Sequence, residues 1–300
     1  MREIVLPADE AEKRLGSFLK REFPIGYVRK LFRKNGVRIN GRRAKETDVV
    51  RAGDRVQVYL PFDGARPKTP SGASDSRMAT VYEDDSLLVI NKPAGLAVHE
   101  GKTVSKRESI LGILEHRYRD TPVEPKLVHR LDKDTSGLLV IAKDQRTAVE
   151  LENAFKTEQV QKQYLCLVVG RLPNDKGTID VPLPGRQGHP VRAVTRYRVV
   201  KRFLETTLLR VDIDTGRLHQ IRLHFAKLGY PVVLDDQHGD YNFNKRFRQR
   251  FGLKRQFLHA EKLAVKVSGR RQNWSAPLSE DLRQTLLRLS SMHDINRQRE

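Results

Sequence analysis

The residues whose types could do chemistry fall in four short polar stretches: residues 91–95 (NKPAG), 129–137 (HRLDKDTSG), 162–164 (KQY) and 215–222 (TGRLHQIR). The second is the most informative. Apolar, β-branched runs flank it, so it reads as two strands joined by a turn at Thr135-Ser136-Gly137. His129, Arg130 and Asp132 then occupy the last residues of the incoming strand. A strand end is rigid and holds a carboxylate and a guanidinium against a substrate, and binding and catalytic groups are often mounted this way. The competing reading is that Asp132 only closes an Asx-turn. Taken singly the other stretches are weaker: a tyrosine on a strand, here Tyr164, is commonly a core residue, and Arg222 after His-Gln-Ile could be a surface charge.

The elements that must position these groups are strands with short helices between them. Residues 80–95 (TVYEDDSLLVINKPAG) form two strands around a turn at Asp84-Asp85-Ser86, and residues 107–118 form a short amphipathic helix. Residues 144–160 are helical, 162–172 a strand, and 202–229 begin as alternating strands and end in a helix. A last helix starts near Ser279 with Glu280 and Asp281 in its first turn, where negative charge favours the helix dipole. Hairpins outnumber β-α-β repeats, so the fold class is α+β, with a mixed, mainly antiparallel sheet flanked by short helices over residues 79–300.

Residues 1–62 read as a separate basic module. Leu15, Phe18, Leu19 and Phe23 share one helical face, Pro24 ends that helix, and a second helix carries Ile25, Val28, Leu31 and Phe32 inward. Arg29 and Arg33 lie one turn apart on its solvent side. Residues 37–44 form a hairpin turning at Asn40-Gly41 that carries Arg38, Arg42 and Arg43. The module holds 15 Lys and Arg against 8 Asp and Glu, so its net charge is +7. Converging basic residues of this kind grip RNA phosphates without reading sequence. A Pro-, Gly- and Ser-rich linker occupies residues 63–78.

The whole chain of 300 residues carries 57 Lys and Arg against 37 Asp and Glu, a net +20, which favours a polyanionic partner with nucleic acid ahead of membrane. No apolar run approaches the roughly 18 residues of a spanning helix, and the N-terminus has no signal-peptide pattern, so a cytoplasmic location is expected. Cys166 is the only cysteine and reads as an apolar strand residue. There is no Walker loop, no dinucleotide fingerprint and no zinc spacing; the nearest histidine pair, His219 and His224, fits none. No metal and no cofactor are expected.

Two resemblances follow from these motifs. Residues 12–60 resemble the small α-L RNA-binding domain named after a ribosomal small-subunit protein. The four polar stretches, in order and spacing, resemble the RluA family of pseudouridine synthases, with HRLDKDTSG as its signature segment. The N-terminal module, residues 82–95, residues 216–240 (GRLHQIRLHFAKLGYPVVLDDQHGD) and FLHAEKL make the chain most similar to the RluC type, which modifies uridines of 23S rRNA. Leu218 departs from the Thr or Ser usual there, and residues 186–200 match inexactly.

The resemblance implies an isomerase needing one carboxylate. Asp132 would attack the ribose or the base, or remove a sugar proton. Arg222 would keep Asp132 ionised, and Tyr164 would stack on the uracil and help remove the carbon-5 proton. Arg130 would fill the space left by the extruded base. His129, Arg217 and Gln220 would join it in binding substrate, with Arg29, Arg33, Arg42 and Arg43 on the RNA backbone. The expected partner is 23S rRNA, free or in a large-subunit assembly intermediate, bound by a monomer, with no DNA and no membrane. Two other classes compete: a non-catalytic RNA-binding assembly factor, and an RNA hydrolase using His129 and Asp132.

Overall fold

The computed structural model describes residues 2–6, 12–23, 28, 31–32, 35–59, 78–101, 104–185 and 188–297. The chain divides into two compact units, Met1–Ser71 and Gly72–Glu300. The expected linker lies almost wholly outside the described residues, as do Arg29 and Arg33 and most of the second expected helix.

The first unit contains β1 (Arg2–Val5), β2 (Lys13–Arg14), α1 (Leu15–Glu22), β3 (Val37–Ile39), β4 (Arg42–Arg43), β5 (Val49–Val50) and β6 (Arg55–Val58). One sheet runs β1-β6-β3-β4, and β2 pairs with β5. Leu15, Phe18, Leu19 and Phe23, the apolar face of the expected first helix, are all buried against Val37, Val50, Val56 and Val58. The β3–β4 hairpin turns at Asn40 (φ 50°) and Gly41 (φ 82°), the two left-handed residues that a tight hairpin requires. Asn40 also donates to Asp54 at 2.7 Å. Arg42 and Arg43 are exposed on β4.

The second unit begins with β7 (Ala79–Glu83), β8 (Leu87–Lys92), α2 (Ile110–Arg117), β9 (Lys126–Leu127), β10 (Ser136–Ala142) and α3 (Gln145–Lys156). It continues with β11 (Gln161–Val169), β12 (Lys176–Asp180), β13 (Leu183–Pro184), β14 (Pro190–Val191), β15 (Val194–Arg202) and β16 (Thr206–Ile213). It closes with α4 (Gln220–Lys227), α5 (Tyr241–Phe251), β17 (Leu258–Val267), β18 (Arg270–Ser275) and α6 (Glu280–Arg297). Ten strands form one sheet in the order β12-β15-β16-β11-β17-β10-β8-β7, with β18 beside β17 and β9 beside β10. Every pairing in it is antiparallel except β10 with β17. The α+β class with a mixed, mainly antiparallel sheet is therefore as expected. β8, β10 and β11 are buried on both faces, which is why they read as near-continuous apolar runs.

The segment before β10 differs from its reading in the sequence. The incoming strand ends at Leu127, and the turn is Lys133-Asp134, closed by Thr135 N–H donating to Asp132 O at 3.1 Å. Ser136 and Gly137 already belong to β10, at its parallel contact with His259 and Ala260. Gly137 sits at φ +113°, and a Cβ there would stand 2.3 Å from Ala260 O. Close approach of two backbones, not a turn, requires this glycine.

Candidate active site

Three elements aim their ends at one cleft of about 510 Å³, lined by Arg130, Asp132, Tyr164, Leu218, His219 and Arg222 among others. That volume falls within the roughly 300–1,000 Å³ common to ligand sites. Asp132 is supplied by the segment before β10, Tyr164 by β11, and Arg222 by the first turn of α4. The turn after Asp132 is pinned from several sides. Lys92 Nζ and Gly95 N–H each donate to Lys133 O at 2.9 Å, Arg255 Nη1 donates to Asp134 O at 3.2 Å, and Gln256 Nε2 donates to Thr135 Oγ1 at 2.7 Å. The backbone oxygen of Asp132 closes the turn, and among the described residues its carboxylate accepts from Arg222 and from no backbone N–H, so it is not an Asx-turn acceptor and faces the cleft instead.

Asp132 Oδ2 accepts from Arg222 Nη1 at 2.9 Å. The remaining edge of that guanidinium is held by Asp235, through Nε to Oδ2 and Nη2 to Oδ1, both at 2.7 Å. Gln237 Oε1 accepts from Nη2 as well, at 3.1 Å. A fork shared by two carboxylates leaves Arg222 little freedom to rotate. Burial alone would raise the Asp235 pKa; donors from Arg222, Gln237 and His238 and the Arg222 charge outweigh it and hold the carboxyl below its ordinary value of 3.8. Arg222 is likewise opposed by burial, and the two carboxylates raise its pKa.

Tyr164 sits where β11 slips register against β17, between Gln163 and Tyr164. Its ring belongs to the core, and its hydroxyl has no hydrogen-bond partner among the described residues. Burial first, and the Asp132 charge second, push its ionisation well above the usual phenol range. It is a neutral phenol at physiological pH.

Lys92 is among the largest fully buried side chains of the described residues, and sequence reasoning assigns it no role beyond its stretch. Its Nζ donates to Pro93 O, Leu96 O and Lys133 O, three carbonyls for the three protons of an ammonium. Burial lowers its pKa to about 7 against the pull of Asp134 and Asp132.

The other expected residues divide. Arg130 and Arg217 line the cleft and are exposed, with Arg217 Nε donating to Arg192 O at 3.0 Å. Gln220 also borders it, but its amide is engaged inside the protein: Oε1 accepts from Thr215 Oγ1 and Arg217 N–H, and Nε2 donates to Val194 O and Thr195 Oγ1. Gln220 shapes the loop and is not a free substrate ligand.

His129 is not at the cleft. Its ring stacks on Phe155 at 4.6 Å, and Nε2 accepts from Val140 N–H at 2.9 Å. Burial, then the Lys162 charge, lower its pKa to about 3, so it is a neutral packing residue. The pairing of His129 with Asp132 that a hydrolase would need has no geometric basis.

Sequence reasoning missed Asp235 and His238, and weighed His219 only as one of a histidine pair that fits no zinc spacing. His219 Nε2 lies 3.8 Å from Asp132 Oδ1, and its Nδ1 is 3.1 Å from His238 Nε2. His219 (φ 53°) and Leu234 (φ 60°) are both left-handed, a conformation that costs a non-glycine residue about 1–3 kcal/mol. They stand beside Gln220 and Asp235, and Asn244 clamps the second through Leu234 N–H and Asp235 O. The run Asp235-Asp236 offered no periodic signal to tell the buried carboxylate from the exposed one.

Comparison with known proteins places the chain among RNA-modifying enzymes. Residues 86–227 match the family model described as RNA pseudouridylate synthase. The chain is 33% identical to the ribosomal large subunit pseudouridine synthase C of Vibrio cholerae, over 95% of this chain and 96% of that protein. It is 32% identical to the protein of that name from Escherichia coli, over 95% and 96%. Among solved structures it resembles human RNA pseudouridylate synthase domain containing 4, at TM-score 0.60 and 28% identity, over 71% of this chain and 93% of that one.

Proposed function

The chain belongs to the RNA pseudouridylate synthase family, of the RluA and RluC type, and is therefore an RNA-modifying isomerase; on that premise we propose that it converts uridines of 23S rRNA to pseudouridine through Asp132. The observation that carries the residue assignment is the Asp132–Arg222–Asp235 fork at a cleft walled by Tyr164. The large-subunit target is supported by the names of the relatives.

The reaction breaks the bond from uracil nitrogen to the ribose, turns the base, and rejoins it through carbon 5. The carbon-5 proton leaves and the freed nitrogen gains one, so atoms balance and no energy source is consumed. Hydrolases of glycosides usually set two carboxylates across the bond to handle water. Here uracil is a tolerable leaving group and water must be kept out, so one ionised carboxylate suffices. Asp132 attacks the ribose or the base, or removes a sugar proton; Arg222 fixes its carboxylate through the 2.9 Å hydrogen bond and balances charge at the cleft during the step. Tyr164 presents its ring to the uracil, and its hydroxyl takes part in the carbon-5 proton transfer as an un-ionised donor and acceptor. The target base is extruded from folded RNA, and the exposed Arg130 occupies the vacancy. Arg42 and Arg43 of the first unit hold phosphates. Action in the cytoplasm fits this substrate, and no helix among the described residues is long and apolar enough to cross a membrane.

Pseudouridine mapping in 23S rRNA from a strain lacking the protein, complemented with wild type or Asp132→Asn, tests the proposal. Wild type restores the missing sites and Asp132→Asn restores none while binding RNA within a few fold. Restoration by Asp132→Asn removes the aspartate from the chemistry. If no site depends on the protein, a non-catalytic assembly factor becomes the better account.

A further inference from the structure

The helix α5 (Tyr241–Phe251) is rooted in the active site and is not used by the mechanism above. The loop leading into it carries Asp235 and Gln237 on Arg222 and His238 on His219. Asp240 then caps the helix by accepting from Phe243 N–H at 2.9 Å. Arg248, two turns along, reaches back to Asp236 at 2.9 Å, so the helix lies against the loop that holds the catalytic fork.

Its two faces differ sharply. Phe243, Phe247 and Phe251 stack along the inner face and are buried with Leu253 and Leu282. The outer face is basic: residues 241–251 hold four Lys and Arg, all exposed, and no acid. Arg248 and Arg250 have acidic partners in Asp236 and Glu205. Lys245 and Arg246 are exposed and have no acidic partner among the described residues; Arg246 lies over the Phe243 ring at 5.9 Å. Tyr241 is 78% exposed, the most exposed large apolar side chain among the described residues. Tyr241 and Lys245 are four residues apart and so lie on one face, with Arg246 beside them.

An exposed aromatic ring followed one turn later by unpaired cations is the composition of a single-strand platform: the ring stacks on a base of any identity and the cations meet phosphates. A membrane surface fits less well, because the apolar face that would enter it is already in the core. We propose that the outer face of α5 binds single-stranded RNA flanking the target uridine, with Tyr241 stacked on a neighbouring base and Lys245 and Arg246 on the backbone. The proposal rests on the reading of the chain as an RNA isomerase and adds to it a second binding surface, outside the cleft that takes the reacting nucleotide.

The test uses the full chain, a fluorescein-labelled 15-nucleotide oligouridylate and fluorescence anisotropy from 50 to 400 mM KCl. Lys245→Gln with Arg246→Gln should reduce the magnitude of the salt slope by about 1.4, at about 0.7 for each single-strand phosphate no longer neutralised. Tyr241→Ala should weaken binding about tenfold and leave the slope unchanged, since it removes a stacking ring and no charge. All these side chains are exposed, so the thermal midpoint of each variant should match wild type. With 23S rRNA as substrate, both variants should raise KM more than they lower kcat. An unchanged slope in the double variant, or wild-type affinity in Tyr241→Ala, overturns the proposal. A wild-type protein that binds the oligonucleotide with these variant effects but makes no pseudouridine breaks the isomerase reading and leaves the surface standing.

Discussion

Arg222 shares its guanidinium between two carboxylates of different exposure: the Asp132 side chain is 18% exposed at the cleft, and that of Asp235 is fully buried. The division sets their roles. Asp235 fixes the orientation of Arg222, and Arg222 presents its remaining donor to Asp132. Asp235→Asn should therefore destabilise the protein by about 3–5 kcal/mol, as expected when one member of a buried pair is removed, and should lower kcat through misplacement of Arg222. The pH dependence has a definite sign. The folded Asp235 pKa lies below its unfolded value, so the stabilisation is complete above about pH 5 and is lost as pH falls through the folded pKa. Urea denaturation between pH 2 and 6 should show a shallower acid limb for Asp235→Asn than for wild type. Tyr164 makes a second residue-scale prediction. Tyr164→Phe keeps the ring and removes the hydroxyl, so it should bind RNA normally and strongly slow tritium release from uridine carbon 5. Because burial and Asp132 keep the Tyr164 hydroxyl protonated, wild-type release should show no rising limb near pH 10, where an ordinary tyrosine ionises.

At the scale of elements, the site depends on the parallel contact between β10 and β17. This contact brings the start of β10, and with it the turn after Asp132, beside Arg255 and Gln256 just ahead of β17. Gly137 permits the approach. Gly137→Ala places a Cβ within 2.3 Å of Ala260 O at a positive φ, so both sterics and backbone strain oppose it. The expected loss is more than about 3 kcal/mol by chemical denaturation, with activity falling further than the unfolded fraction explains. Lys92 braces the same turn from β8, which accounts for a fully buried lysine at the end of an apolar strand.

For the whole molecule, the net charge of +20 is spread along the chain, and residues 1–62 hold +7 of it. A polyelectrolyte partner turns that charge into salt-dependent affinity. Removal of residues 1–62 should weaken 23S rRNA binding and flatten its salt dependence by about 0.7 for each single-strand phosphate released, while turnover at saturating RNA persists. Equilibrium binding of the truncated and full chains across KCl concentration measures this. An unchanged slope would remove the RNA-gripping role from Arg42, Arg43 and their neighbours.

What could be read from the chain alone was local. The helical face Leu15, Phe18, Leu19 and Phe23, the Asn40-Gly41 hairpin and the Asp84-Asp85-Ser86 turn each follow from a period or a turn preference contained in a few residues. The α+β class followed because hairpins announce themselves in sequence. The family was also legible, since its motif HRLDKDTSG is contiguous. Tertiary structure decided the rest. Gly137 looked like a turn residue because glycine is the usual turn former, but its need for φ +113° comes from Ala260, distant in sequence. His129 looked like a site residue because it stands three positions before Asp132, yet Phe155 and Val140 claim its ring. Asp235 gave no signal at all: its role depends on Arg222, thirteen residues earlier, and on a left-handed Leu234 that Asn244 holds in place. Periodicity reports which face of an element is buried; which charges meet at the end of a sheet is set by how separate elements pack.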